Sequence, residues 1–124
     1  MDFTEIETKV ILIIKDYLNQ NRVFNAKKII PFILKSIKSF NIELNEEGVQ
    51  KILWRLIRER YIVPGSKLMK ETMLENNTRK TIFNHVDKNP GTYLREIMNK
   101  LNIGSHEALW HINLLLKFEL TILS

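Results

Sequence analysis

The sequence contains no cysteine, which excludes disulfide bonds and zinc sites with thiolate ligands. Its longest apolar run, from Val10 to Ile14, is far shorter than the roughly 20 residues that cross a bilayer. Acidic Asp2 and Glu5 stand near the start of the chain, where a signal peptide has a basic segment. These absences predict a soluble, cytoplasmic protein without a membrane partner.

Motifs for catalysis and cofactor binding are also missing. Neither the phosphate-binding pattern GxxxxGK[S/T] nor GxGxxG occurs. The histidines are His85, His106 and His111, and the last two lack the i, i+4 spacing of a helical metal pair. Glu46 and Glu47 are adjacent, so their carboxylates diverge on a helix and do not suit paired acid–base chemistry. The sequence therefore predicts no enzyme, no cofactor, no metal and no small-molecule ligand.

The chain is moderately basic. Its 19 Lys and Arg against 14 Asp and Glu give a formal charge of +5, and the sequence pI is about 9.5. The excess is spread over both halves, which permits nucleic-acid binding without requiring it. Hydrophobic residues make up 44% of the 124, a share that is typical of a packed protein. A chain of this length forms one domain or two very small ones.

Apolar spacing of the helical period predicts six helices, near 4–19, 26–40, 46–60, 78–88, 93–101 and 106–118. Short strands are predicted near 61–63 and 120–123. Because the two halves share the order of three helices and a strand, we predict a mostly α-helical fold of two units, residues 1–64 and 65–124. Surplus apolar residues on the first helix and on the last, Leu114 and Phe118, predict a homodimer.

The most informative stretch runs from 89 to 120. Asn89-Pro90-Gly91 is typical of a turn, and Thr92 is expected to cap the helix that follows. Asn102-Ile103-Gly104 breaks that helix, with Gly104 predicted in the left-handed conformation, and Ser105 is expected to cap the next helix. Two helices joined by a short glycine-containing turn make a helix-turn-helix.

The segments NPG, LREI, LNIGS and WHINLL resemble the second and third helices of bacterial and archaeal winged-helix transcription regulators. The runs VPGSKL and LENNTRKTIF resemble the lead into the C-terminal unit of archaeal predicted regulators that have two such domains. The resemblance implies tandem winged-helix-like helix-turn-helix units that read double-stranded DNA. One departure is that little more than a strand follows the last helix, so the C-terminal wing is truncated.

In such proteins the second helix of each motif enters the major groove. The residues predicted to contact DNA from the last helix are Ser105, His106, Trp110, Asn113 and Lys117. Those predicted from the third helix are Gln50, Lys51, Trp54, Arg55 and Arg58. The alternative at each helix is a solvated face, which on the third helix has Glu47–Lys51 and Arg55–Glu59 pairs at i, i+4.

A second hypothesis belongs to another class, namely a tandem winged-helix adaptor that binds proteins. Subunits of endosomal-sorting complexes and polymerase-associated factors use such pairs. A second apolar strip on the last helix, formed by His111, Leu114 and Phe118, favours this hypothesis, as do the truncated wing and the weak charge of that helix. The basic third helix favours DNA.

Overall fold

The structure is a computed structural model that describes residues 3–121, and it is mostly helical. It has two compact units, divided between Met69 and Lys70. The first contains α1 (Glu5–Asn19), α2 (Ala26–Ile37), a 3-10 turn (Lys38–Phe40) and α3 (Glu46–Arg58). The second contains a 3-10 helix (Lys70–Glu75), α4 (Asn77–Lys88), α5 (Leu94–Leu101) and α6 (Ser105–Lys117). All six α-helices lie within three residues of the predicted ranges.

Side-chain caps fix the start of the first four α-helices. Thr4 and Glu7 form a capping box, in which each side chain accepts a hydrogen bond from the backbone N–H of the other, at 3.1 and 3.0 Å. Asn25, Asn45 and Asn76 each accept from a backbone N–H three residues further on. The sequence predicts Asn25 and Asn45 as the caps of the second and third helices, and both predictions are confirmed. Among the described residues, no helix combines the length and apolar character of a bilayer span.

The caps predicted for the last two helices are wrong. The hydroxyl of Thr92 donates to Glu96 Oε2 at 2.7 Å, and α5 has no side-chain cap. Ser105 is the first residue of α6, whose cap position is occupied by Gly104 in extended conformation with φ −77°. The left-handed residue of this turn is Asn102, with φ 54°, because asparagine tolerates that conformation. It stands two residues before Gly104, the predicted position, and the helix ends at Leu101 as predicted.

The strand predicted at 61–63 is reduced to one antiparallel bridge between Ile62 and Met69. Pro64 has no N–H for a ladder, and Gly65 turns the chain with φ 81°. The chain therefore reverses before a second pair of residues can form.

The sequence also predicts a strand at 120–123, and its described residues, 120 and 121, form none. The backbone N–H of Leu120 donates to the carbonyl of Leu115 at 2.9 Å. This bond returns the chain onto α6. The remaining residues of the prediction, 122 and 123, lie outside the described residues.

The core of the first unit is formed by one face of each of its three α-helices. Its fully buried members are Val10, Ile14, Ile29, Ile33, Ile37, Val49, Leu56 and Ile62. The apolar spacing of the first two helices also predicts Ile6 and Phe40 as core residues, but both are exposed. Phe40 instead lies beneath the Lys9 ammonium, 5.1 Å from the ring centroid. Burial of these faces turns the polar sides of α2 and α3 toward solvent.

The core of the second unit revises the prediction for α6. Apolar spacing predicts that the buried side of this helix consists of Ala108, Leu109, Ile112, Leu115 and Leu116. Ala108, Ile112 and Leu115 are buried as expected, but Leu109 and Leu116 are 42% and 38% exposed. His111 and Phe118, predicted as a second apolar strip, are buried instead, and Leu114 is half-buried. The buried side of α6 is thus rotated toward His111, which leaves the two exposed leucines as the apolar edge of the helix.

Candidate nucleic-acid interface

The exposed side of α3 contains four of the five residues predicted there, namely Gln50, Lys51, Trp54 and Arg58. The opposite side is buried and consists of Val49, Leu53 and Leu56. Trp54 lies near the middle of the exposed side and is itself 68% exposed. An indole this open makes few contacts within the unit, so this side of α3 is available to a partner.

Arg55 lies at the edge of this surface and is half-buried. Its Nη1 is 2.5 Å from Glu7 Oε2 on α1, and its Nε is 3.9 Å from Glu59 Oε1. Its guanidinium carbon is 5.7 Å from the centroid of the Phe3 ring. Arg55 therefore joins α1 to α3, and its cation is largely compensated within the unit.

Glu7 is the buried partner of this ion pair. The backbone hydrogen bond from Thr4 lowers the pKa of Glu7, and Arg55 lowers it further, against the opposing effect of burial. Sequence reasoning missed the role of Glu7. The signal that could have found it is the Thr-x-x-Glu capping box, which places its carboxylate at the start of α1.

Lys51 and Arg58 are the open cations of α3. Lys51 Nζ is 3.6 Å from Glu47 Oε1, but both side chains are more than 70% exposed, so the pair is weak. Arg58 forms no ion pair with any residue between 3 and 121. Both cations can therefore turn to a phosphate at little cost.

A groove of about 610 Å³ runs beside Trp54, between α3 and the start of α2. Val23 and Asn25 form one wall, and Gln50 and Trp54 form the other. The loop that carries Val23 is held by Phe24, which exchanges two backbone hydrogen bonds of 2.8 Å with the turn at residues 65 and 66. The groove therefore has fixed walls.

A smaller cavity of about 420 Å³ lies next to this groove. Arg22 and Lys28 line it together with Tyr17, and it shares Val23 and Asn25 with the groove beside Trp54. The exposed side of α3 is therefore continuous with a basic part of the surface around the start of α2.

The exposed side of α6 contains all five residues predicted there: Ser105, His106, Trp110, Asn113 and Lys117. At 100° per residue the last four lie within a narrow sector opposite the core. Leu109 and Leu116 form an apolar edge of the same exposed side, and Asn113 borders it. Lys117 is its one cation and Glu107 opposes it, so this surface has less charge than that of α3.

Trp110 rests on a buried arginine. Arg79 is 3% exposed, its guanidinium carbon lies 5.3 Å from the Trp110 ring centroid, and its Nη1 donates to the Met73 carbonyl at 2.8 Å. Trp110 stays 55% exposed on this support. The sequence prediction missed Arg79, although its i, i+3, i+7 spacing with Ile82 and Val86 places it on the buried side of α4.

His111 lies beside this pair and is buried. Burial lowers the pKa of His111, the charge of Arg79 lowers it further, and Glu107 opposes both. Its ring is 4.8 Å from that of Trp110. His111 is therefore a neutral core residue at neutral pH.

Comparison with known proteins gives a local similarity. Over 53 residues, or 43% of the chain, the sequence is 40% identical to an uncharacterized HTH-type transcriptional regulator of Methanocaldococcus jannaschii. The aligned segment covers 14% of the length of that relative, so the similarity is to a small part of it. No protein-family model matches the chain, and no solved structure matches it.

Proposed function

We propose that the protein is a DNA-binding transcription regulator that contacts duplex DNA with α3 and α6. The observation that carries the proposal is the exposed side of α3, where Lys51 and Arg58 flank Gln50 and Trp54. The similarity to an HTH-type regulator supports it. No enzymatic role is part of the proposal.

The proposed role of each α3 residue follows from its chemistry. Lys51 and Arg58 supply the phosphate contacts that dominate non-specific affinity, and Arg58 can also pair with guanine. The Gln50 amide can pair with adenine at its major-groove edge. Trp54 packs against a sugar. Arg55 contributes chiefly by holding α3 on α1 through Glu7.

On α6 the proposed base contacts come from Asn113 and Trp110, because both point away from the core. Lys117 and His106 contact the backbone, and Ser105 lies at the helix N-terminus, where backbone N–H groups favour a phosphate. A homodimer would present two copies of this surface to a two-fold site.

We further propose that both units are winged-helix-like. Support in the first unit comes from the segment around Phe24, between α1 and α2, which bonds to the turn that follows α3. Ile62 and Met69, which form the antiparallel bridge, lie on either side of that turn. This short hairpin follows α3, which is the position of the wing in a winged-helix fold.

Filter binding to random duplex DNA over a salt series tests the function. We expect affinity to fall steeply with salt, and Lys51→Gln with Arg58→Gln to flatten the slope by about two, at 0.9 per phosphate contact. Lys80→Gln with Lys88→Gln, an equal change of charge on exposed α4 positions, should leave the slope nearly unchanged. The proposal fails if the wild-type protein shows no salt-dependent binding at about 50 mM salt.

The second candidate is a protein-binding adaptor. The specific observation in its favour is the exposure of Leu109, Trp110 and Leu116 along α6, since large apolar side chains at a surface mark interaction sites. This candidate predicts that no substitution on α3 or α6 changes duplex binding. The salt series therefore separates the two.

A further inference from the structure

The longest stretch of one-sign charge in the chain lies around α2. Residues 20–42 contain five cations and no acid. We call these five the α2 strip: Arg22, Lys27, Lys28, Lys35 and Lys38. All five are exposed, and none forms an ion pair with a carboxylate within residues 3–121. A strip of this kind is an uncompensated positive surface.

Lys27, Lys28 and Lys35 share one side of α2, and Lys38, the first residue of the 3-10 turn that follows, continues that side. The opposite side is fixed by Ile29, Ile33 and Ile37, which are fully buried in the core of the first unit. From Lys27 to Lys38 the strip extends about 16 Å, at 1.5 Å per residue. It is thus long enough to meet several successive phosphates of one DNA strand.

Arg22 extends the strip beyond the start of α2. Its guanidinium carbon lies 5.0 Å from the Tyr17 ring centroid and 5.9 Å from that of Phe32. These rings restrict the guanidinium plane and leave its N–H donors without a carboxylate partner. Arg22 lines the 420 Å³ cavity together with Lys28, so two cations converge there.

Acids near the strip are few. Asp16 on α1 lines a cavity of about 570 Å³ together with Lys35, and it accepts a 3.4 Å hydrogen bond from Gln20. Glu43 follows the strip in the connector to α3. Five cations against these two acids leave the surface positive, and a polyanion is its natural partner.

A membrane surface fits the strip poorly. Pro31 is the one exposed apolar residue between Lys27 and Lys38, and the apolar side of α2 is occupied by the core. Basic helices that bind bilayers insert an apolar side into them, and α2 has none to offer. A hydrophilic polyanion is the better match.

The position of the strip points to DNA. The cavity beside Arg22 and the groove beside Trp54 share Val23 and Asn25, so the strip continues from the α3 surface. We propose that the α2 strip binds the sugar–phosphate backbone of duplex DNA next to the segment that α3 contacts. The proposal rests on the proposed function and adds a second, sequence-independent contact that lengthens the site.

The test compares two variants that each lose four positive charges. One is Lys27→Gln, Lys28→Gln, Lys35→Gln and Lys38→Gln. The control is Lys80→Gln, Lys88→Gln, Arg95→Gln and Lys100→Gln, at exposed positions of the second unit. We expect the strip variant to flatten the salt slope of duplex binding by three to four, at about 0.9 per contact, on all sequences alike. The control should change the slope by less than about one.

Four results would overturn the proposal. Equal slopes for both variants would show a general effect of net charge. If the wild-type protein binds duplex DNA and the strip variant has the same salt slope, the strip does not contact DNA, while the proposed function stands. Loss of binding to vesicles containing phosphatidylserine or to an acidic protein, with duplex binding kept, would assign the strip to that partner. If the wild-type protein binds no duplex, the strip and the function fail together.

A single substitution guards against misfolding of the fourfold variant. Arg22→Gln should flatten the slope by about one, and Arg95→Gln is its matched control. Circular dichroism must show the wild-type helix content in both. An Arg22→Gln slope equal to that of the wild type would contradict the place of Arg22 in the strip.

Discussion

The guanidinium of Arg79 stacks on the Trp110 ring at 5.3 Å, so a buried cation on α4 supports the most exposed aromatic residue of α6. The same guanidinium donates to the Met73 carbonyl. Together these contacts fix the indole while leaving one side of it open. A side chain held in this way can contact a partner without a further loss of rotamer entropy.

We predict that Arg79→Ala lowers the free energy of unfolding of the second unit by about 2–3 kcal/mol. The change removes the cation–π contact and leaves the Met73 carbonyl without its donor. Urea unfolding followed by Trp110 fluorescence in a Trp54→Phe background measures the effect. Arg95→Ala, at an exposed arginine of α5, is the control. Equal stability of the two variants would mean that the stacking contributes nothing.

The Glu7–Arg55 pair gives a prediction about pH. The pKa of Glu7 is lower in the folded chain than in the unfolded chain. The Glu7 carboxylate therefore stabilises the fold fully above about pH 4.5, and this stabilisation is lost as the pH falls through the pKa of the folded chain. Glu7→Gln should lower the free energy of unfolding by about 1–3 kcal/mol at neutral pH, and the gap should close in acid. Urea titrations across this range test it, with exposed Glu5→Gln as control. A gap that stays constant with pH would contradict the assignment.

His111 gives a prediction with the same direction in a higher pH window. Its pKa is lowered from 6.5 by burial and by Arg79, so below 6.5 the unfolded chain takes up a proton before the folded chain does. The wild-type protein should therefore lose up to about 2 kcal/mol of stability between neutral pH and pH 5, at 1.36 kcal/mol per pH unit. His111→Phe should remove this loss, whereas His106→Gln, at an exposed position, should retain it.

The helices could be predicted because their signals are local. Asn25 and Asn45 cap the helices that follow them, and the apolar period of α2 names Ile29 and Ile33 without help from tertiary structure. The orientation of α6 could not be predicted in the same way. With Leu109, Leu114, Leu115 and Leu116 around the helix, apolar spacing alone does not decide which side is buried.

For the candidate site, the sequence correctly predicted which side chains are exposed, with Arg55 as the exception. The α6 residues are exposed as expected, and so is Trp54, but their contact with DNA stays a prediction. Arg55 is half-buried because its partner is Glu7, 48 residues earlier, and sequence spacing does not show such a pair. For Arg79, the spacing with Ile82 and Val86 indicates the buried side of α4, but the sequence does not show its contact with Trp110 on another helix.

The exposed leucines of α6 make the last prediction. Leu109 and Leu116 are seven residues apart, so they share one edge of the helix about 10 Å long. Asn113, four residues after Leu109 and three before Leu116, borders this edge, whereas Trp110 and Lys117 lie farther round the helix. We expect a second copy of the chain to cover this edge, since two such edges related by a two-fold axis would bury each other's leucines and leave Trp110 and Lys117 free.

Leu109→Gln with Leu116→Gln should therefore convert a homodimer into a monomer, as measured by light scattering at tens of micromolar. Leu12→Gln, at an exposed leucine of α1, should leave the dimer intact. The monomeric variant should bind a two-fold DNA site more weakly, because one α3 and one α6 would be lost, while each remaining chain keeps its own phosphate contacts. A wild-type protein that is monomeric at this concentration would contradict the prediction, and the two leucines would then be surface residues without a role in assembly.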